Sequence, residues 1–224
     1  MNRRPVTPAV RKRRIFTDAL LLLAGAALLL LMLDVPIPYF TQRQALSAAQ
    51  TRYLYGPGAV LARVEKDTFV DCILQDGSCY AVCTLPREGL FWGQGTLDAV
   101  VNDPSLPLVP LPRRDSLLVV VNDPNIAEVE VLYYAQYSGG FHTLRQAEPL
   151  ADKCYLFYRP AGQSNYHFDD DGFLLRGYDR AGNLIYESEA PSHWSECNYR
   201  TWKNPVISMV CKPSARGFLL HYEN

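Results

Sequence analysis

Residues Ala19–Leu33 read ALLLLAGAALLLLML, fifteen consecutive residues with no polar side chain and nine leucines. At about 1.5 Å per residue, a helix of this length spans only ~22 Å, less than the ~30 Å hydrocarbon core of a bilayer. Extending the run back to Ile15 gives nineteen residues and about 28 Å, and it includes one carboxylate, Asp18, near its edge. The leucines outweigh this peripheral charge. The sequence therefore predicts a transmembrane helix over residues 15–33.

The two flanks of this run differ in charge. Residues 1–14 contain six basic residues and no acidic one, whereas no basic residue follows the run until Arg43. Because Lys and Arg are enriched on the cytoplasmic side, we expect a single-pass signal-anchor in the cell membrane, with the tail 1–14 cytoplasmic and residues 34–224 extracytoplasmic. A cleaved signal peptide is the alternative, but the small residues Ser47–Ala49 come too late for a cleavage site.

The predicted exported part is acidic. The chain has 22 basic and 23 acidic residues; removing the six basic residues of the tail and Asp18 leaves 16 basic and 22 acidic residues from position 34 onward. A net charge near −6 disfavours nucleic acid as a partner. The partners we expect are the membrane, through one helix, and a protein or ligand of the cell envelope.

The pattern changes after residue 33. Residues 34–58 are predicted to form a juxtamembrane linker and a stalk helix over Gln42–Tyr55, capped by Thr41 and ended by a Gly-Pro-Gly turn. In residues 59–224, apolar residues alternate with other residues in a period of two, and turn residues are frequent. This pattern predicts a mainly β, antiparallel domain of about ten strands. A β-sandwich or a strongly curved sheet fits short strands of this kind. An α+β arrangement requires the stalk helix to pack across a sheet.

Four local predictions are specific enough to test. Asp76-Gly77 is predicted to turn a hairpin, and Leu117–Val121 to be a buried strand. Residues 102–115, with four prolines, are predicted to be an irregular loop, and Tyr166–Phe168 to be a short strand. Further strands are predicted near the C-terminus, at Tyr199–Trp202, Val206–Cys211 and Phe218–Tyr222.

The six cysteines all lie in the predicted exported part, which favours disulfide bonds; they are Cys72, Cys79, Cys83, Cys154, Cys197 and Cys211. A three-residue loop at 203–205 predicts that Cys197 lies opposite Cys211. A turn at Asp76-Gly77 places the first three cysteines on one face of a hairpin with none directly opposite another. At least one of them is then expected to pair elsewhere, for which Cys154 is a candidate. Buried free thiols are the alternative.

Residue patterns for catalysis are missing from the sequence. The four histidines show no metal-ligand spacing, and no nucleophile elbow, phosphate-binding loop or dinucleotide fingerprint occurs. The adjacent acids Asp169–Asp171 differ from the alternating acids of a calcium loop, so a solvated turn is expected there. We therefore predict no catalytic, cofactor-binding or metal-binding residue.

These observations leave two functional classes. The first is a non-enzymatic, membrane-anchored binding or assembly module of the cell envelope. The second is a membrane-anchored extracytoplasmic hydrolase whose site is assembled from residues distant in sequence. A concave pocket with convergent carboxylates, or a histidine with a partner, favours the hydrolase, whereas an exposed aromatic patch favours binding.

Overall fold

The computed structural model describes residues 8–32, 38–135, 140–163 and 165–196. Within them the chain forms two α-helices and a short 3₁₀ helix at Ser192–Glu196; the α-helices are α1 (Pro8–Met32) and α2 (Gln42–Arg52). The strands are β1 (Ala59–Glu65), β2 (Phe69–Asp76), β3 (Cys79–Glu88), β4 (Phe91–Trp92), β5 (Thr96–Val101), β6 (Leu108–Pro112), β7 (Ser116–Val121), β8 (Glu128–Ala135), β9 (Gly140–Gln146), β10 (Cys154–Tyr158), β11 (Phe173–Tyr178) and β12 (Leu184–Glu187). The strand pairings are antiparallel, so the prediction of a mainly β, antiparallel fold is confirmed.

The strands form three sheets. The first has the order β1-β2-β3-β4, with β5 also paired to β3. The second is β10-β7-β6, and the third is β12-β11-β8-β9. Because successive side chains of a strand point to opposite faces, each sheet can pack on both sides. The sheets stack face to face in the order first, second, third, which is one sheet more than the predicted β-sandwich.

Two apolar layers hold the stack together. Between the first and second sheets lie Ile73 and Val82 of one sheet against Leu118 and Val120 of the other. Alternate residues of the second sheet face the third and form a larger layer rich in aromatic side chains. Strand β7 contributes to both layers and is buried along its whole length, which confirms the prediction of a buried strand at Leu117–Val121. Its unbroken branched apolar sequence is typical of a strand covered on both faces.

Helix α2 packs on the outer face of the first sheet. Thr41 is its N-cap, as predicted, and forms a capping box with Gln44. Ala45, Leu46 and Ala49 are buried against that sheet. The stalk helix therefore packs across a sheet, as an α+β arrangement requires. The helix ends at Arg52, three residues before the prediction, and Leu54 follows with a φ of 54°. This left-handed residue redirects the chain, so that Tyr55 packs on the sheet.

The first hairpin has a different register from the predicted one. Asp76 pairs with Cys79, and the turn is formed by Gly77 and Ser78. Gly77 has a φ of 57°, a conformation that glycine adopts without strain. The turn is thus one position later than Asp76-Gly77, and every facing pair is changed. Cys72 lies directly opposite Cys83, so the prediction that no two hairpin cysteines face each other was wrong.

Two other segments differ from prediction. Residues 108–112 form strand β6 within the segment predicted to be an irregular loop. This strand lies at the edge of the second sheet, where prolines at 110 and 112 can leave the missing N–H groups outside the ladder. Tyr166–Phe168 is a turn region rather than a strand, and its aromatic rings fill the layer between the second and third sheets. The strands predicted beyond residue 196 lie outside the described residues.

The predicted membrane span overlaps helix α1, which is 25 residues long. Among the residues that the structure describes, no helix is both long enough and apolar enough to cross a membrane. The predicted span extends to residue 33, which is outside the described part, so the membrane span stays a prediction.

Candidate functional site

A cleft of about 520 Å³ opens where the first and second sheets meet. Strands β2, β3 and β5 form one wall, and β6, β7 and β10 form the other. The side chains that decide its chemistry are polar: Asp71, Thr84, Asp98, Arg113, Ser116 and Tyr158. This polar cluster stands at one end of the apolar layer between the two sheets. We take the cleft as the candidate site because it is concave and concentrates charged groups.

Asp71 forms the floor of the cleft and is only 1% exposed. A buried carboxylate costs free energy unless hydrogen-bond donors surround it. Thr84 Oγ1, on the neighbouring strand β3, donates to Oδ1. The Tyr158 hydroxyl, on the opposite sheet, donates to Oδ2 at 2.8 Å. The floor is therefore a bridge between two sheets.

Arg113 joins this floor to the rim. Its Nε donates to Asp98 at 2.7 Å, and Nη2 donates to the Thr84 hydroxyl at 2.9 Å. Its Nη1 lies 3.7 Å from the Asp71 carboxylate. Nη1 also donates to the Ser116 hydroxyl at 3.4 Å, so one guanidinium contacts two carboxylates and two hydroxyls. Since Arg113 is largely buried and tightly held, it acts as a fixed positive charge inside the cleft.

The Tyr158 ring forms part of the wall of the cleft. Burial raises the pKa of its hydroxyl, and the neighbouring Asp71 carboxylate raises that pKa further. Lys66 stands over the ring, with Nζ 4.3 Å from the ring centroid, in a cation–π contact. At neutral pH the phenol therefore remains a hydrogen-bond donor and does not act as a base.

The rim of the cleft is acidic. Asp98, Asp115 and Asp169 reach solvent there, and Arg113 and Arg114 also line the cleft. Asp115 is itself paired with Arg159 at 2.8 Å. The exposed carboxylate of Asp169 at this rim suits a positively charged ligand group, and the exposed side chain of Tyr53 adds an aromatic surface. The arrangement is better suited to binding than to proton transfer, because its central groups already hydrogen-bond one another.

The predicted disulfide residues are spread over two faces of the first sheet. Cys72, Cys79, Cys83 and Cys154 are free thiols in the structure. The first three pack against the α2 side, whereas Cys154 lies in the layer between the first and second sheets. The first sheet lies between Cys154 and the other three, and none of the four is at disulfide distance in the structure, so the candidate pairing with Cys154 stays a prediction. Cys197 and Cys211 lie outside the described residues.

Burial controls the chemistry of three of these thiols. Loss of hydration raises the pKa of Cys83 to about 12 and that of Cys154 to about 11. The pKa of Cys72 is also raised by burial, although the nearby Arg63 partly opposes the effect. Since the thiolate is the reactive form, these three side chains behave as small apolar core residues.

Of the acids and histidines discussed in the sequence analysis, Asp169 lines the cleft, whereas the others that the structure describes do not. Asp171 accepts a hydrogen bond from the backbone N–H of His167 at 2.6 Å and closes a local turn. His142 stacks on Tyr133 with ring centroids 5.6 Å apart. Within the described ranges, no group of three or more His, Cys, Asp and Glu side chains is placed to hold a metal ion. His221 lies beyond those ranges.

The sequence reading missed the cleft. One signal was present: Asp71 interrupts an otherwise apolar strand, Phe69–Leu74, at a position where a carboxylate needs buried partners. Those partners could not be found from sequence, because Arg113 and Tyr158 are 42 and 87 residues away along the chain. Only the stacking of the first and second sheets brings the three side chains together.

Comparison with known proteins shows a family for this chain. A family model described as a domain of unknown function, DUF5044, matches residues 38–199. This range includes α2 and the three stacked sheets. No curated protein and no solved structure matches the chain.

Proposed function

The chain belongs to the DUF5044 family, a domain of unknown function, and we propose from geometry and sequence that it is a membrane-anchored binding module of the cell envelope. In this proposal, the helix over residues 15–33 crosses the cell membrane once. The three stacked sheets stand outside the cytoplasm and bind a protein or envelope ligand.

The anchor is supported by the sequence on both sides of helix α1. Six basic residues precede the apolar run, and the acidic part of the chain follows it. This asymmetry matches the orientation rule for single-pass proteins. Helix α1 also continues through the apolar run as far as Met32.

The binding role is supported chiefly by the bonding within the cleft. Arg113 is held by Asp98 and Thr84, and Asp71 is held by Thr84 and Tyr158. A catalytic acid or base needs a proton position open to substrate, whereas these groups use their donors and acceptors on one another. The rim, by contrast, presents carboxylates to solvent. We infer that the cleft binds a positively charged segment of its partner.

Crosslinking of the tagged full chain in its native membrane, followed by mass spectrometry, tests this proposal. The informative variant is Asp169→Lys, which reverses one exposed charge on the rim. The matched control is Asp170→Lys, since Asp170 is the adjacent exposed acid and does not line the cleft. We expect a reproducible partner set that decreases in Asp169→Lys and persists in Asp170→Lys.

One result would contradict the assignment of binding to the cleft, and another would contradict the binding role itself. Equal capture by both variants would show that the cleft rim does not contact the partner. Turnover of an envelope polymer by the purified full chain, reduced in Asp169→Lys, would support the alternative class, a membrane-anchored hydrolase.

A further inference from the structure

An exposed apolar cluster lies close to the point where the chain leaves the predicted membrane span. We call this cluster, Phe40, Leu90 and Phe91, the aromatic tip. Leu90 is 92% exposed and Phe40 is 72% exposed. The rings of Phe40 and Phe91 pack edge to face, with centroids 5.5 Å apart. The tip is therefore one contiguous surface built from two parts of the chain.

Backbone hydrogen bonds connect the tip to the segment that follows helix α1. Tyr39 and Trp92 exchange two hydrogen bonds of 2.8 Å, which adds the incoming chain to strand β4. Tyr39 follows Met32, the last residue of α1, by seven positions, and such a segment spans at most about 25 Å. If α1 is inserted as proposed, the tip cannot lie far from the membrane surface.

The composition of the tip is unusual for a solvent-exposed turn. Gly89 and Leu90 connect β3 to β4, and Gly89 has a φ of 64°, as tight turns require. Turn positions of this kind normally carry polar residues, because they face water. Here the turn carries a leucine followed by phenylalanine and tryptophan. Aromatic and aliphatic residues in such a position suit the interface between lipid headgroups and acyl chains.

Basic residues flank the tip. The Arg87 guanidinium lies over the Trp92 ring, 5.1 Å from its centroid. Arg43 is exposed in the first turn of α2. One exposed acid, Glu88, lies opposite Phe91, so two cations and one carboxylate flank the tip. The net positive charge attracts anionic headgroups and so favours the same orientation.

We propose that the aromatic tip inserts into the outer surface of the bilayer and holds the β-domain against the membrane in a fixed orientation. This inference rests on the proposed membrane anchor. The binding partner of the tip in this proposal is the lipid surface. The residues that line the cleft do not include Phe40, Leu90 or Phe91, so the cleft and the tip are separate surfaces.

The test uses the full chain reconstituted in vesicles of phosphatidylcholine and phosphatidylglycerol. A photoactivatable diazirine amino acid replaces Leu90, and in the matched control it replaces Ile185, an exposed apolar residue of the third sheet. After illumination, mass spectrometry counts lipid adducts at each position. We expect at least roughly fivefold more lipid adduct at position 90, because only that position meets acyl chains.

Protease protection of residues 15–33 in the same vesicles separates the two proposals. Protection together with equal lipid adducts at positions 90 and 185 overturns the tip insertion and leaves the anchor intact. Adducts at position 90 to a second protein chain, in place of lipid, also overturn it. Loss of protection overturns the anchor, and with it the tip insertion.

Discussion

The hydroxyl of Tyr158 donates a 2.8 Å hydrogen bond to the carboxylate of Asp71, and these residues belong to different sheets. Asp71 is on β2 of the first sheet, and Tyr158 ends β10 of the second. The apolar layer between the two sheets carries no directional information, whereas a hydrogen bond does. This bond therefore helps to fix how the second sheet sits on the first.

Replacing Tyr158 with phenylalanine is expected to lower the free energy of unfolding by about 1.5–3 kcal/mol, the range for a hydrogen bond to a charged group. The loss arises because Asp71 keeps its buried position with one donor fewer. Urea unfolding of the full chain, followed by tryptophan fluorescence, measures it. Tyr186→Phe, at a half-buried tyrosine of the third sheet, is the control and is expected to change little. Equal effects of both variants would assign the loss to general packing.

Alkaline pH is expected to destabilise the domain in part through Tyr55. Burial raises the pKa of Tyr55 from 10.0 to about 12, and the nearby Cys79 is the second-largest cause of this increase. The folded state thus holds a proton that the unfolded state releases above pH 10. The contribution of protonated Tyr55 to the free energy of unfolding is complete below pH 10 and is lost as pH rises towards 12. Tyr55→Phe should reduce the slope of unfolding free energy against pH by about 1.4 kcal/mol per unit in this window.

The control for the pH experiment is Tyr53→Phe. Tyr53 lies two residues away and is 44% exposed, so its replacement shows whether the loss of any tyrosine hydroxyl in this segment is enough to change the slope. Unfolding measured at several pH values between 9 and 12 would decide the matter. Parallel curves for Tyr55→Phe and the unmodified chain would contradict the prediction.

The more deeply a thiol is buried, the more slowly it should be alkylated. Cys83, with a pKa raised from 9.0 to about 12, is expected to react at least about 100-fold more slowly in the folded chain than after unfolding. Cys79 is only half-buried and should react before Cys72 and Cys83. Peptide mapping by mass spectrometry after timed exposure to iodoacetamide measures these rates. Non-reducing maps are expected to contain no Cys72–Cys154 disulfide, because the sheet separates the two residues. Folded-state labelling of Cys83 as fast as that of Cys79 would show that α2 does not cover it.

Gly95→Ala is expected to displace α2 from the first sheet. A Cβ at this position would lie 2.7 Å from a methyl carbon of Leu85 and 3.0 Å from the Cβ of Ala49. Such overpacking typically costs about 1–3 kcal/mol. Thermal unfolding by circular dichroism measures the loss. Gly140→Ala is the matched control, since a Cβ added there would have no atom of the described residues within 4 Å and the φ of Gly140 is ordinary. A stability equal to that of the control would show that α2 does not pack closely at Gly95.

Much of the local structure could be predicted from sequence because local patterns determine it. The Thr41 cap and the buried strand at Leu117–Val121 follow from neighbouring residues. Errors arose where two local solutions compete. The first hairpin could turn at Asp76-Gly77 or at Gly77-Ser78, and the difference of one position decides which cysteines face each other.

The sequence by itself determined the division of the chain into a basic tail, an apolar run and a β-rich acidic part. Charge and hydrophobic period are properties of neighbouring residues, so they can be read without coordinates. Tertiary structure alone decided that there are three stacked sheets, that α2 covers the first, and that Asp71, Arg113 and Tyr158 meet in one cleft. The physical reason is that an apolar strand face can pack against any other apolar face. Only the assembled layers select the partner, and the cleft exists only once they are assembled.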